Sequence, residues 1–142
     1  MPPIKTLIFD IGGVLLDIHP EKSFDFWAKV TGLSLKRLHK SVSWDIHYQY
    51  ETGNRDDFRF YSGINNLLPG ENKIYECEFW HGWKLLLGHE TPNVDLMESL
   101  CETIPILLLP NTNPRHIRYF ATSGKYQFYR FITGAVYSFK TG

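Results

Sequence analysis

The sequence predicts an α/β protein in which a block of helices interrupts an open sheet, and three observations carry that expectation. A short apolar run, Ile4 to Phe9, ends at Asp10 and a Gly12-Gly13 pair. A second apolar run, Pro105 to Leu109, ends at Pro110-Asn111-Thr112-Asn113. Between them, from Pro20 to about Leu87, apolar and aromatic residues recur at helical spacing. Buried strands that end in polar residues are the pattern of open α/β sheets, which gather their chemistry beyond the carboxyl ends of the strands.

Each element has a local cause. Thr6 to Phe9 lacks in-out alternation, which predicts a strand buried on both faces. Gly12 and Gly13 then permit a tight turn. Glu21 to Val30 carries Phe24, Trp27 and Val30 at three-residue spacing, and Thr31-Gly32 closes that helix. Ser34 caps a short helix through Leu35 and Leu38. Trp44 to Tyr50 is an aromatic segment closed by Glu51-Thr52-Gly53. Asp56 to Leu68 continues with Phe58, Tyr61, Ile64 and Leu68 and stops at Pro69-Gly70. Lys73 to Leu87 is the last helix of the block, with Tyr75, Phe79, Trp83 and Leu86 on one broad face. Asn93 to Thr103 predicts a helix, Pro105 to Leu109 a buried strand, and Pro114 to Phe120 a helix with proline in its first turn. Ala135 to Phe139 predicts a third strand, with Lys140 as an ordinary surface lysine beside it. The chain thus divides into a first core segment (1–19), a helical insert (20–88) and a second core segment (89–142).

Composition narrows the function classes. The 142 residues suit one domain carrying an insertion, and 43% hydrophobic with 21% charged residues is a globular mixture. Fifteen basic residues balance fifteen acidic ones, so charge gives no argument for nucleic acid or an anionic membrane as partner. Cys77 and Cys101 form neither a disulfide framework nor a metal cluster. None of the six histidines pairs with another at helical i, i+3 or i, i+4 spacing, which excludes a helical zinc face. The N-terminus runs straight into the first strand without a leader, and no stretch is long enough to span a bilayer, so a cytoplasmic protein is expected.

The stretch Phe9-Asp10-Ile11-Gly12-Gly13-Val14-Leu15-Leu16-Asp17 resembles the first motif of the haloacid dehalogenase (HAD) superfamily. Ile106 to Asn113 resembles that superfamily's second motif, and the helical block matches its cap in place and length. Within the block, Tyr50-Glu51-Thr52-Gly53 followed by Asp57-Phe58 is similar to the branch of α-D-glucose-1-phosphate phosphatases. The resemblance implies a Rossmann-like core with an all-α cap, acting on a small phosphorylated metabolite. It implies Mg²⁺ as cofactor, Asp10 as nucleophile and metal ligand, the Gly12 carbonyl as a second ligand, and Asn111 and Thr112 as phosphate-binding residues. The chemistry is consistent: a carboxylate attacking phosphorus forms an aspartyl-phosphate, and a hard cation relieves the repulsion between the two anions. The turn of the first motif fits a phosphatase better than a dehalogenase. His19 is placed to face substrate, and Trp44, His47 and Tyr50 are candidates to line an entrance, although packing is the commoner use of such aromatics. Asp17 reads as a turn or hinge residue.

The same resemblance exposes departures. Most members carry a second aspartate where this chain has Gly12, and it protonates the leaving oxygen. Pro110 stands where the family places a serine or threonine whose hydroxyl binds the transferring phosphoryl group, and proline offers neither hydroxyl nor N–H. Losing such a donor typically costs roughly 10² to 10³ in rate; Thr112 is the nearest hydroxyl. A lysine and an acidic pair are expected beyond the segment that matches Gly134 to Gly142. On that expectation the core is C-terminally incomplete, catalysis by this chain is impaired or absent, and the strand before Asp10 keeps an open edge for self-association. The alternative is a non-catalytic HAD-like scaffold or fragment that acts through protein binding.

Overall fold

A computed structural model of the chain describes residues 3–142. Three strands form a parallel sheet in the order β1 (Leu7–Phe9), β4 (Ile106–Leu108), β5 (Gly134–Ala135). Two more, β2 (Leu16–Ile18) and β3 (Leu87–Glu90), pair antiparallel as a separate ribbon. This ribbon is absent from the sequence expectation, which ran the preceding helix through Leu87. It carries the chain out to the cap and back: His19 N–H donates to the Leu86 carbonyl at 2.7 Å, where the two crossings meet. Thr91 Oγ1 and Asn93 Nδ2 both donate to the Val14 carbonyl, tying the return strand to the turn after β1.

Five helices make the cap: α1 (Pro20–Thr31), α2 (Leu35–Ser41), α3 (Trp44–Glu51), α4 (Asp57–Leu67) and α5 (Glu76–Leu85). Their ends follow the predicted signals. Gly32 closes α1 at φ 70°, where a side chain would be strained. Ser34 accepts from the Arg37 amide as the expected N-cap, and Asp56, not singled out as a cap in the sequence, accepts from the Arg59 amide in the same way. The cap has its own aromatic core, in which the Trp27 and Phe79 rings stack at 5.0 Å and those of Tyr50 and Phe60 at 4.2 Å. Gly82 permits the close crossing of α1 and α5, because a Cβ there would collide with the Trp27 ring.

The core helices α6 (Asn93–Leu100) and α7 (Pro114–Thr122) bury Val94, Met97, Ile117 and Phe120 in one cluster with Ile106 and Leu108 of β4. Leu7 and Phe9 of β1 pack against the same cluster. The other face of the sheet is not covered among the described residues: Ile8 is 62% exposed and Leu109 57%, with Ile4 and Val136 also exposed. That differs from the expectation of a first strand buried on both faces. The third predicted strand is also shorter than expected. After Ala135 the chain bends into a short helix, α8 (Ser138–Thr141), because Ser138 folds back onto the loop after β4. Its Oγ accepts from the Thr112 amide at 3.0 Å, and its amide donates to the Pro110 carbonyl. Lys140 therefore lies in α8, with its Nζ 5.4 Å from the centre of the Tyr137 ring. No helix among the described residues is long and apolar enough to cross a membrane.

Candidate active site

Asp10 follows the last residue of β1 and is exposed at the strand's carboxyl end, with one carboxylate oxygen accepting from the Ile11 amide at 2.8 Å. The next residues close on themselves. The amides of Val14, Leu15 and Leu16 donate to the Ile11 carbonyl, and Gly13, at φ 73°, donates to Leu16. Gly12 sits on the outside of this turn, and its carbonyl accepts no hydrogen bond among the described residues. A Cβ at Gly12 would meet only the Ile18 side chain, at 3.4 Å and beyond, so the position has room for a larger residue.

Between cap and core lies a cavity of about 250 Å³ lined mainly by apolar side chains. From the core, Gly12, Asn111 and Thr112 reach it; from the cap, Trp44, His47 and Glu51 do. The predicted phosphate-binding pair is thereby brought to the same space as Gly12, at the amino end of α7. Asn113 caps that helix, its Oδ1 accepting from the His116 amide while its Nδ2 donates to His116 Nδ1. Helix amino ends favour anions. The Thr112 amide is already committed to Ser138, and the buried Thr112 side chain lines the cavity. Pro110 is buried beside them and offers no donor, as expected.

The three aromatic candidates of the cap divide between the two uses weighed for them, with Trp44 and His47 lining the cavity and Tyr50 packed. Tyr50 does not line the cavity; it is fully buried, and its hydroxyl donates to Asp57 at 2.7 Å. Burial first, and then the Asp57 carboxylate, push the Tyr50 hydroxyl well above its ordinary value, so it remains a donor. One face of α3, Trp44, His47 and Glu51, looks into the cavity, while Ile46 and Tyr50 fill the cap core. Glu51 was not foreseen as a site residue. Its Oε1 lies 3.5 Å from His47 Nε2. Burial holds its carboxyl above the usual range, the nearby Asp10 charge adds to that, and His47 opposes it. His19 turns away to Glu21 at 3.1 Å, and Asp17 is an exposed residue of the hinge ribbon.

His116 forms the back wall. Its ring stacks on Trp83 at 5.5 Å, and burial lowers its pKa to about 4 against the weaker pull of the Trp83 backbone, with His47 reinforcing the shift. It is neutral at pH 7, and the Asn113 donor leaves the ring proton on Nε2.

Among the described residues no three His, Cys, Asp or Glu side chains are grouped as a metal cage. At the end of β1 the oxygens present are the Asp10 carboxylate and the free Gly12 carbonyl, with the Glu51 carboxylate on the cap side of the cavity. That set fits Mg²⁺, which is bound by one or two carboxylates together with water and substrate phosphate, and it does not fit zinc.

No protein-family model matches the chain. Solved structures do. A HAD family enzyme, BT-2542, from Bacteroides thetaiotaomicron, in complex with magnesium and inorganic phosphate, superimposes with a TM-score of 0.82 at 21% identity. The match covers 98% of this chain and 71% of that one. A predicted HAD-like family hydrolase from Porphyromonas gingivalis matches with a TM-score of 0.77 at 17% identity, over 96% of this chain and 67% of its own. The fold is that of HAD-family hydrolases, an α/β core with a helical cap.

Proposed function

We propose that this chain hydrolyses small phosphomonoesters through an aspartyl-phosphate on Asp10, slowly as it stands, and that it does so in the cytoplasm. The observation that supports this is the meeting of Gly12, Asn111 and Thr112 at a cap-covered cavity, with Asp10 two residues before Gly12 and close enough for its charge to act on Glu51 of the cavity wall. The magnesium and phosphate bound by BT-2542 agree with it.

Asp10 and the Gly12 carbonyl would hold Mg²⁺, which neutralises charge between carboxylate and phosphate. Asp10 attacks phosphorus and the P–O bond to the leaving group breaks. With no acid at position 12, the leaving oxygen departs as an anion or takes its proton from water. Water then attacks the aspartyl-phosphate, freeing phosphate and restoring Asp10. Thr112 and Asn111 orient the phosphoryl oxygens in place of the donor that Pro110 lacks. Two handicaps follow: leaving groups of high pKa react poorly, and the missing donor slows all substrates by roughly 10² to 10³. The test is p-nitrophenyl phosphate hydrolysis with and without Mg²⁺, on the chain and on Asp10→Asn.

A second reading, a scaffold acting through protein binding, is favoured by the uncovered face bearing Ile8, Leu109 and Val136 and by the open edge of β1. We propose self-association through this edge. Analytical ultracentrifugation across a concentration series is expected to show dimers that Ile8→Lys disperses; a monomer at all concentrations contradicts it.

A further inference from the structure

We propose that a second, separate cleft, between α5 of the cap and α7 of the core, binds the dianionic phosphoryl group of a small molecule. The cleft has a volume of about 440 Å³ and lies behind the stacked Trp83 and His116, which line both it and the cavity. Two helical stripes face each other across it. Trp80 and Lys84 stand on α5, four residues apart; Arg115, Arg118 and Tyr119 stand on one face of α7.

Its electrostatics are one-sided. Lys84, Arg115 and Arg118 line the cleft and no acidic side chain does. Asp57 engages both guanidinium groups, with Arg115 Nε at 3.0 Å from its Oδ2 and Arg118 Nη2 on the same oxygen. Three cations against one carboxylate leave two positive charges in excess. Lys84 makes no ion pair among the described residues; its Nζ stands 5.1 Å from the centre of the Tyr119 ring. Arg115 lies 4.2 Å over Trp80, and its Nε, although close to Asp57, completes no hydrogen bond. Glu76 engages Trp80 Nε1 rather than a cation.

Two guanidinium forks and one ammonium, with Arg115 and Lys84 held over aromatic rings and Arg118 held by Asp57, suit a group with three terminal oxygens better than a carboxylate with two. In this cleft cap and core present cations to one another, Lys84 from α5 and Arg115 and Arg118 from α7. A ligand in it would bridge the two parts and tie the cap closed.

The test is a titration of inorganic phosphate followed by backbone amide NMR, with chelator present so that metal-dependent binding near Asp10 does not contribute. Saturable shifts are expected within 77–84 and 115–122, the same in Asp10→Asn as in the wild type. Lys84→Ala should weaken this binding about tenfold, and Lys84→Arg should largely retain it. Lys84 is exposed, so neither substitution threatens the fold. No saturation by roughly 10 mM phosphate, shifts centred on 10–12 and 111–113 instead, or indifference to Lys84→Ala would each overturn the proposal.

Discussion

Gly12→Asp is expected to raise hydrolysis of an alkyl phosphate by roughly 10² or more while changing p-nitrophenyl phosphate hydrolysis only a few-fold. An alkoxide leaves badly without a proton, whereas p-nitrophenolate leaves well without one. The difference between the two substrates therefore isolates the missing acid. The structure makes the substitution feasible. Gly12 lies outside the left-handed region, and a Cβ there makes ordinary contact with Ile18 and nothing else. Kinetics on glycerol phosphate and p-nitrophenyl phosphate, side by side, check it. Equal gains on both substrates would mean that the new carboxylate acts on the metal or the fold, and that proton supply is not what the native site lacks.

Asp57→Ala is expected to destabilise the protein by about 3 kcal/mol, mostly by orphaning a buried donor. Tyr50 is fully buried and its hydroxyl donates to Asp57, so removing the acceptor costs roughly 1–3 kcal/mol. Asp57 is also the first residue of α4, where a negative charge contributes about 0.3–1 kcal/mol. The ion pairs to Arg115 and Arg118 are half exposed and add little to stability, about 0–1 kcal/mol each. Their importance is positional, since they tie α4 of the cap to α7 of the core. In a Tyr50→Phe background the same substitution should cost distinctly less, because no hydroxyl is left unpaired. Urea denaturation of the four proteins of this cycle measures both values. A loss below about 1 kcal/mol for Asp57→Ala alone would contradict the role given to this residue.

Tyr50 and Asp57 also show what was legible in the sequence. Both belong to the cap segment that resembles the sugar-phosphate phosphatase branch, and in the structure they are hydrogen-bonded partners seven residues apart. The resemblance singled them out, and of the two uses weighed for Tyr50, lining an entrance and core packing, the structure shows the packing. Which face of α3 meets the core depends on how the cap sits on it, and periodicity within one eight-residue helix does not reveal that. Trp44, His47 and Glu51 stand at i, i+3 and i+7 in the sequence, yet only the packing of Ile46 and Tyr50 into the cap core turns that stripe toward the cavity.

Local signals located elements well wherever the cause was local. The cap at Ser34, the stop at Gly32, the proline in the first turn of α7 and the strands leading to Asp10 and Pro110 all follow from neighbouring residues. What escaped is non-local. The hinge ribbon pairs Leu16 with Glu90 across the whole cap, and neither short segment alternates strongly enough to announce a strand. The end of β5 is set by Ser138 bonding to a loop 26 residues earlier. The exposure of Ile8 depends on what packs against the sheet, and an apolar run reads the same whether or not its second face is covered.

The central claim is that Asp10 is a working nucleophile, and the most direct measurement is p-nitrophenyl phosphate turnover with and without Mg²⁺, with Asp10→Asn run in parallel. The account predicts slow, metal-dependent turnover that Asp10→Asn abolishes. Identical rates for the two proteins, or a rate that ignores Mg²⁺, would contradict it and leave a HAD-like fold without the phosphatase reaction.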